Sequence, residues 1–130
     1  MRAMKMEHET DPAQLIWKQV GNLDEIELFG NQVLVGVYTR PNKTKSGILL
    51  TDATRGEDAN QGKAALVLKK GPAAFVPDNK VDFYGQDVSP GDWVSLWVTD
   101  GRKVIINGQL CRIVEDIHIR MKIPTPDTVY

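Results

Sequence analysis

The chain has 130 residues, a formal net charge of −1 and 42% apolar residues, enough for one domain with a real core. A near-neutral balance argues against nucleic acid or an anionic membrane as the main partner, because both need a net basic surface, and no apolar run approaches the ~20 residues of a membrane span. The single cysteine, Cys111, cannot form an internal disulfide and fits a reducing compartment, so a cytoplasmic location is expected.

Residues 1–10 mix Arg2 and Lys5 with Glu7 and Glu9 and hold no apolar h-region. They do not read as a signal peptide and look disordered in isolation. Asp11-Pro12-Ala13-Gln14 then reads as a helix start, with Asp at the N-cap, Pro at the first helical position and Gln placed to close a capping box. The helix should run to about Val20 and stop at Gly21, with Ile16 and Val20 on one face and Trp17 beside it. A helix this short is marginal alone and must dock, on its own domain or on a neighbour. Residues 1–25 are accordingly an N-terminal arm.

From Leu28 the pattern is β. Gln32 to Tyr38 alternates, with Val33, Val35 and Val37 on one face. Lys63 to Lys69 forms a second strand, with Leu66 and Leu68 opposite Val67. Residues 71–88 are irregular and carry Phe75, Phe83 and Tyr84 in exposed-looking positions. Ser89-Pro90-Gly91-Asp92 is a strong turn signal. Trp93 to Val98 alternates again, and Asp100-Gly101 and Asn107-Gly108 read as two tight hairpin turns, flanking Lys103–Ile106 and leading into Gln109–Val114. The last strand is expected to place Ile117, Ile119, Met121 and Ile123 inward and His118, Arg120 and Lys122 outward. Pro124-Thr125-Pro126 ends the sheet, leaving 124–130 as a tail. Strands of this number and spacing indicate an all-β fold, a small barrel or sandwich.

Between the first two strands lies the segment Arg40 to Lys63. It is polar and rich in turn residues, yet carries Ile48-Leu49-Leu50 near its middle. Long loops without periodicity are uncommon in compact domains and are usually functional or disordered. Showing three branched aliphatics to water gains nothing, since burying each is worth roughly 1.5–3 kcal/mol. The triplet therefore reads as a tethered hook for an apolar groove on a partner; the competing reading is a short extra strand of the domain's own sheet.

No active site emerges. His8 and His118 are far apart, and Glu7-His8-Glu9 sits in a polar terminus where a metal would lack an ordered second shell. His118 reads as a solvated side chain. Cys111 alternates in phase with Ile113 and reads as a buried small hydrophobe. Gly47, Gly56 and Gly62 do not make a phosphate loop. The expectation is a protein that is not an enzyme and takes no metal and no cofactor. Trp93 and Trp97 share a face opposite Val94, Leu96 and Val98. They either fill the core or point outward to a subunit or partner interface, where Trp is enriched.

The residues that carry partner chemistry resemble the GroES (chaperonin-10) family of co-chaperonins over about Ile26 to Ile123. Thr44-Lys45-Ser46-Gly47-Ile48-Leu49-Leu50-Thr51-Asp52 is similar to that family's mobile loop with its central hydrophobic tripeptide. Gly62-Lys63-Ala64-Ala65-Leu66-Val67 resembles the strand after it. Val88-Ser89-Pro90-Gly91-Asp92-Trp93-Val94 resembles the Val-x-x-Gly-Asp-x-Val signature, and Ile106-Asn107-Gly108 with Glu115-Asp116-Ile117 resembles the closing hairpin and C-terminal strand. The resemblance implies a small irregular GroES-like β-barrel over 26–123, with a mobile loop at 40–62 and a roof-like insertion at 71–88. It implies a homo-oligomeric ring of seven copies that caps a large double-ring chaperonin and assists ATP-dependent folding. Gly47, Ile48, Leu49, Leu50 and Thr51 would dock in the chaperonin's groove. Terminal strands would pair between neighbours, and Trp17, Trp93, Trp97, Ile117 and Ile119 are the candidates for subunit interfaces.

The chain departs from that pattern in its 25 leading residues, in its tail beyond Ile123, in Trp93 and Trp97, and at Leu28-Phe29-Gly30-Asn31-Gln32-Val33, where the family carries Pro-Leu-x-Asp-Arg-Val. It resembles a divergent member of the kind phages encode. The alternative implied is a virion structural protein, a decoration or cement subunit on the major capsid protein, whose arm and tail clasp neighbours.

Overall fold

A computed structural model of the chain describes residues 6, 8, 10–41, 49, 51, 55–56, 61 and 63–129. Among the described residues, helix α1 (Pro12–Val20) precedes the strands β1 (Gln32–Val37), β2 (Ala64–Lys70), β3 (Trp93–Ser95), β4 (Arg102–Ile106), β5 (Gln109–Glu115) and β6 (Met121–Ile123). They form one antiparallel sheet in the order β4-β5-β1-β2-β3-β6. Along β1 and β2, Leu34 pairs with Lys69 and Val35 with Val67, so Leu68 is an extra residue that bends the pair.

The alternation expected for β1 is present, but both faces are buried. Val33 and Val35 pack with Ala65, Val67, Val94, Leu96 and Val114 on the inner face. Leu34 packs on the outer face with Leu66, Leu68, Trp93, Cys111 and Ile123. Helix α1 covers that outer face through Ile16 and Val20. Gly36 makes room for it: a Cβ there would stand 2.6 Å from Ile16 Cγ2. Pro12 opens the helix as expected, but the Asp11 side chain makes no capping hydrogen bond, so the capping box does not form. The other end is closed from outside. Asn107 Nδ2 donates to the Val20 carbonyl at 2.6 Å, and Gln19 Nε2 donates back to the Asn107 carbonyl at 2.5 Å. Asn107-Gly108 has φ of 50° and 84°, the positive pair that a two-residue hairpin between β4 and β5 demands.

Four expectations need correction. First, Asp100-Gly101 is not a hairpin turn, because β3 pairs with β2 and β6 while β4 pairs with β5 alone. Asp100 is instead buried and works as an anchor. Second, β3 stops at Ser95 and Val98 is exposed. Third, 117–123 is not one strand. A 3₁₀ turn occupies Asp116–His118, and Ile117 and Met121 are exposed while Ile123 is buried. The cause is the Asp116 carboxylate, which accepts from the Asn31 side chain at 3.1 Å and from the Phe75 N–H at 3.0 Å. These bonds hold the chain out of the ladder and tie the 71–88 segment to the sheet. Fourth, His118 is not simply solvated: its Nδ1 accepts from the Glu115 N–H at 3.0 Å and closes that turn.

Within 71–88, Phe75 and Phe83 meet edge to face at 5.2 Å. Tyr84 stays 85% exposed. Phe75 and Tyr84 both adopt positive φ, 60° and 55°, a conformation uncommon for bulky residues.

Candidate functional site

The hook segment leaves the sheet after β1 and returns into β2. Its root is tied to the sheet by backbone hydrogen bonds. The Tyr38 N–H donates to the Ala64 carbonyl at 2.9 Å, and the Leu96 N–H to the Lys63 carbonyl at 2.9 Å. Arg55 Nε donates to the Arg40 carbonyl at 3.1 Å, and the Arg55 N–H to the Thr51 carbonyl at 3.1 Å. Of the expected docking residues, Gly47, Ile48 and Leu50 lie outside the described residues. Leu49 is 70% exposed and Thr51 is exposed.

The returning end is held by Arg112, a residue that the reading of the sequence passed over. Arg112 is 1% exposed. Its Nη1 donates to the carbonyls of Trp97, Val98 and Asp100 at 3.2, 3.1 and 3.1 Å, and its Nη2 to the Gln61 carbonyl at 3.2 Å. One guanidinium thus joins the end of the hook segment to the bend that follows β3. The five donors of a planar fork suit this bend of several carbonyls as no other side chain does. The available signal was parity: Arg112 shares the inward phase of Val114, and an arginine there must find partners.

Asp100 completes the bend. Its Oδ2 accepts from the Trp97 N–H at 2.9 Å and pairs with Arg120 Nη1 at 2.9 Å. The Arg120 guanidinium in turn lies 3.8 Å from the centre of the Trp97 ring, within cation–π range. Trp97 is 61% exposed, so its indole is presented to solvent on a fixed support. It borders a shallow depression lined by Gln61, Lys63, Leu96 and Val98, beside the returning end of the hook segment.

The two tryptophans therefore part company. Trp93 is 8% exposed and packs in the protomer's own core, edge-on to Tyr38 at 5.8 Å; Trp97 stands outside. Trp17 is half-buried against the outer-face core and Ile119 against the inner, while Ile117 is 46% exposed. The structure does not gather these five residues into one patch.

Chemistry is sparse. Cys111 is buried, and burial pushes its thiol up to about 11 from an ordinary 9.0, a backbone hydrogen bond at Ile106 offsetting part of the rise. Such a thiol is a poor nucleophile near neutral pH. Among the described residues no group of three His, Cys, Asp or Glu side chains is arranged to hold a metal ion, and no helix is long and apolar enough to cross a membrane.

A sequence model of the chaperonin 10 kDa subunit family matches residues 25–123. A comparison with curated proteins finds no match.

Proposed function

The chain belongs to the chaperonin 10 kDa subunit family, the GroES-like co-chaperonins, and from that premise we propose that it caps a chaperonin ring and docks there through the hook at Gly47, Ile48, Leu49, Leu50 and Thr51. The observation that carries this reading is the family match across 25–123, which spans the polar segment with its Ile48-Leu49-Leu50 triplet. Leu49 supports it, its side chain standing 70% exposed although its backbone makes an isolated β-bridge.

The proposed mechanism is weak contacts made many times. A segment that orders on docking loses conformational entropy, so one hook binds loosely. Several hooks on one ring make each later contact intramolecular and raise avidity without new contacts. Loose individual contacts allow release when the ring changes state. The ring of this chain is proposed as a heptamer on a double-ring chaperonin in the cytoplasm, acting as a binding protein rather than an enzyme. Since Trp93 is spent in the core, Trp97 and Ile117 are the apolar residues most open to a neighbouring copy, with Trp17 and Ile119 offering their uncovered edges.

Native mass spectrometry of the purified protein, alone and with a double-ring chaperonin plus ADP, tests the proposal. A heptamer that joins the ring only with nucleotide is expected, and Ile48→Ser with Leu49→Ser should abolish joining while leaving the barrel folded. A monomer or other oligomer that ignores the chaperonin would overturn it in favour of a virion structural subunit that uses the hook as an assembly contact.

A further inference from the structure

The two segments that flank the family-matched span meet at one point. Residues before 25 and after 123 lie outside the match, yet Met6 and Asp127 are joined: the Met6 N–H donates to Asp127 Oδ2 at 3.1 Å across 121 residues of sequence. Met6 is fully buried, so this residue is seated on the domain; of residues 1–10, expected to be disordered in isolation, 1–5, 7 and 9 lie outside the described residues. Asp127 lies in a 3₁₀ turn, Pro126–Val129, whose Val129 packs against the outer-face core.

The same carboxylate reaches the hook segment. Asp127 Oδ1 accepts from the Tyr38 hydroxyl at 3.0 Å. Tyr38 is 3% exposed and is the first residue after β1, where its N–H bonds Ala64 across the root. His8 Nε2 lies 2.7 Å from the same hydroxyl and 3.9 Å from Asp127 Oδ1. The hydroxyl has one proton, and it points to Asp127; His8 must then be the donor to the tyrosine oxygen. The arrangement is directional: His8 donates to Tyr38, Tyr38 donates to Asp127, and Met6 donates to the other carboxylate oxygen. Beside it, Pro12, Leu15, Val37, Pro41 and Arg55 line a cleft between α1 and the first residues of the hook segment.

A barrel core does not need this cluster, because Tyr38 already buries its ring against Trp93. What the polar ends add is a tie between arm, tail and loop root. We propose that His8, Tyr38 and Asp127 form a latch that straps the N-terminal arm across the root of the hook segment, and that Asp127 is a positioning residue for the hook. Holding the outgoing root here and the returning end through Arg112 leaves less freedom to lose on docking, so a closed latch strengthens chaperonin binding. The positioning half of the proposal rests on the co-chaperonin reading; the latch does not.

Hydrogen exchange on the full-length protein separates the two. Hydrogen bonds to a charged acceptor are the stronger ones, so Asp127→Ala should speed exchange about tenfold or more at Met6 and at Tyr38–Arg40, a local opening. Exchange in the middle of β2 and β5 should not change. Tyr38→Phe keeps the ring in the core and removes only the hydroxyl; it should reproduce the effect at both places, and it decides the matter if Asp127→Ala does not fold. Unchanged exchange at the root in Tyr38→Phe would overturn the latch. Binding to a double-ring chaperonin with ADP is then measured for the same proteins. A loss of several-fold in affinity is expected; equal affinity with an opened root would overturn the positioning role. If the wild-type protein itself does not bind, the co-chaperonin reading fails and exchange still decides the latch.

Discussion

Replacing Arg112 by methionine should destabilise the protein far more than the apolar character of the site suggests. A buried ion pair can often be exchanged for packed apolar residues at little cost, because both charges leave together. Arg112 is different: the partners described for it here are backbone carbonyls, of Gln61, Trp97, Val98 and Asp100, and they remain whatever the side chain becomes. Each buried acceptor left unpaired costs about 1–3 kcal/mol. Water reaches part of the bend, since Trp97 and Val98 are exposed residues, so the four together amount to roughly 3–5 kcal/mol. With about 2.1 cal/mol/K of unfolding entropy per residue, the 130-residue chain should lose about 11–18 °C in Tm. Thermal and urea unfolding followed by circular dichroism measures this, with the m-value checked for constancy. Arg112→Lys should fall between, since an ammonium has three donors and no fork. A loss below about 1 kcal/mol for Arg112→Met at unchanged m would refute the reasoning, and with it the idea that one guanidinium holds the hook's returning end to the bend.

Three further predictions concern packing, backbone and titration. Gly36→Ala should cost about 1–3 kcal/mol by overpacking, because the new Cβ would press on Ile16 Cγ2 at 2.6 Å. Combined with Ile16→Ala, which removes that Cγ2, the loss should fall short of the sum of the two single losses in a double-mutant cycle, whereas strict additivity would show that α1 does not lie on β1 as described. Gly101→Ala should destabilise by about 2 kcal/mol or more in urea titration, since φ is +72° and a Cβ would fall onto the Ile113 carbonyl; a neutral result would contradict the close approach of this bend to β5. For Cys111, the folded thiol titrates near 11 against an ordinary 9.0. Between those values the unfolded chain has released a proton that the native protein retains, so stability falls as pH rises through that window. Unfolding measured from pH 8 to 11 should show a steeper decline for the wild type than for Cys111→Ala; parallel curves would show that burial does not raise the thiol.

Much of this fold was legible because local rules and the tertiary structure agreed. Asn107-Gly108 carries the backbone angles of a two-residue turn, and the hairpin follows. Pro12 and Gly21 bracket α1, and Ile16 and Val20, four apart, share its buried face. Alternation put Val33 and Val35 on one face of their strand, the face that packs with Val67 and Val94, and order and spacing were sufficient to point to the family. Three features were decided elsewhere. Asp100-Gly101 has the same local chemistry as Asn107-Gly108, yet no hairpin forms, because Arg112 of β5 claims the aspartate's carbonyl and Arg120, just before β6, claims its carboxylate. The isoleucines of 117–123 alternate as a strand should, yet Asp116 is bound by Asn31 and Phe75 and breaks the ladder. The alternation of Trp93 and Trp97 cannot show that one is core and the other surface; that depends on where β3 ends. Period and turn propensity act over a few residues, whereas a buried charge takes its partners from anywhere in the chain. The sequence by itself determined α1, β1, β2 and the β4–β5 hairpin, because local period and turn chemistry suffice there. The tertiary structure alone decided the strand order, the ends of β3 and β6, and how Arg112, Asp116 and Asp127 tie the elements together, because buried charges draw partners from distant segments.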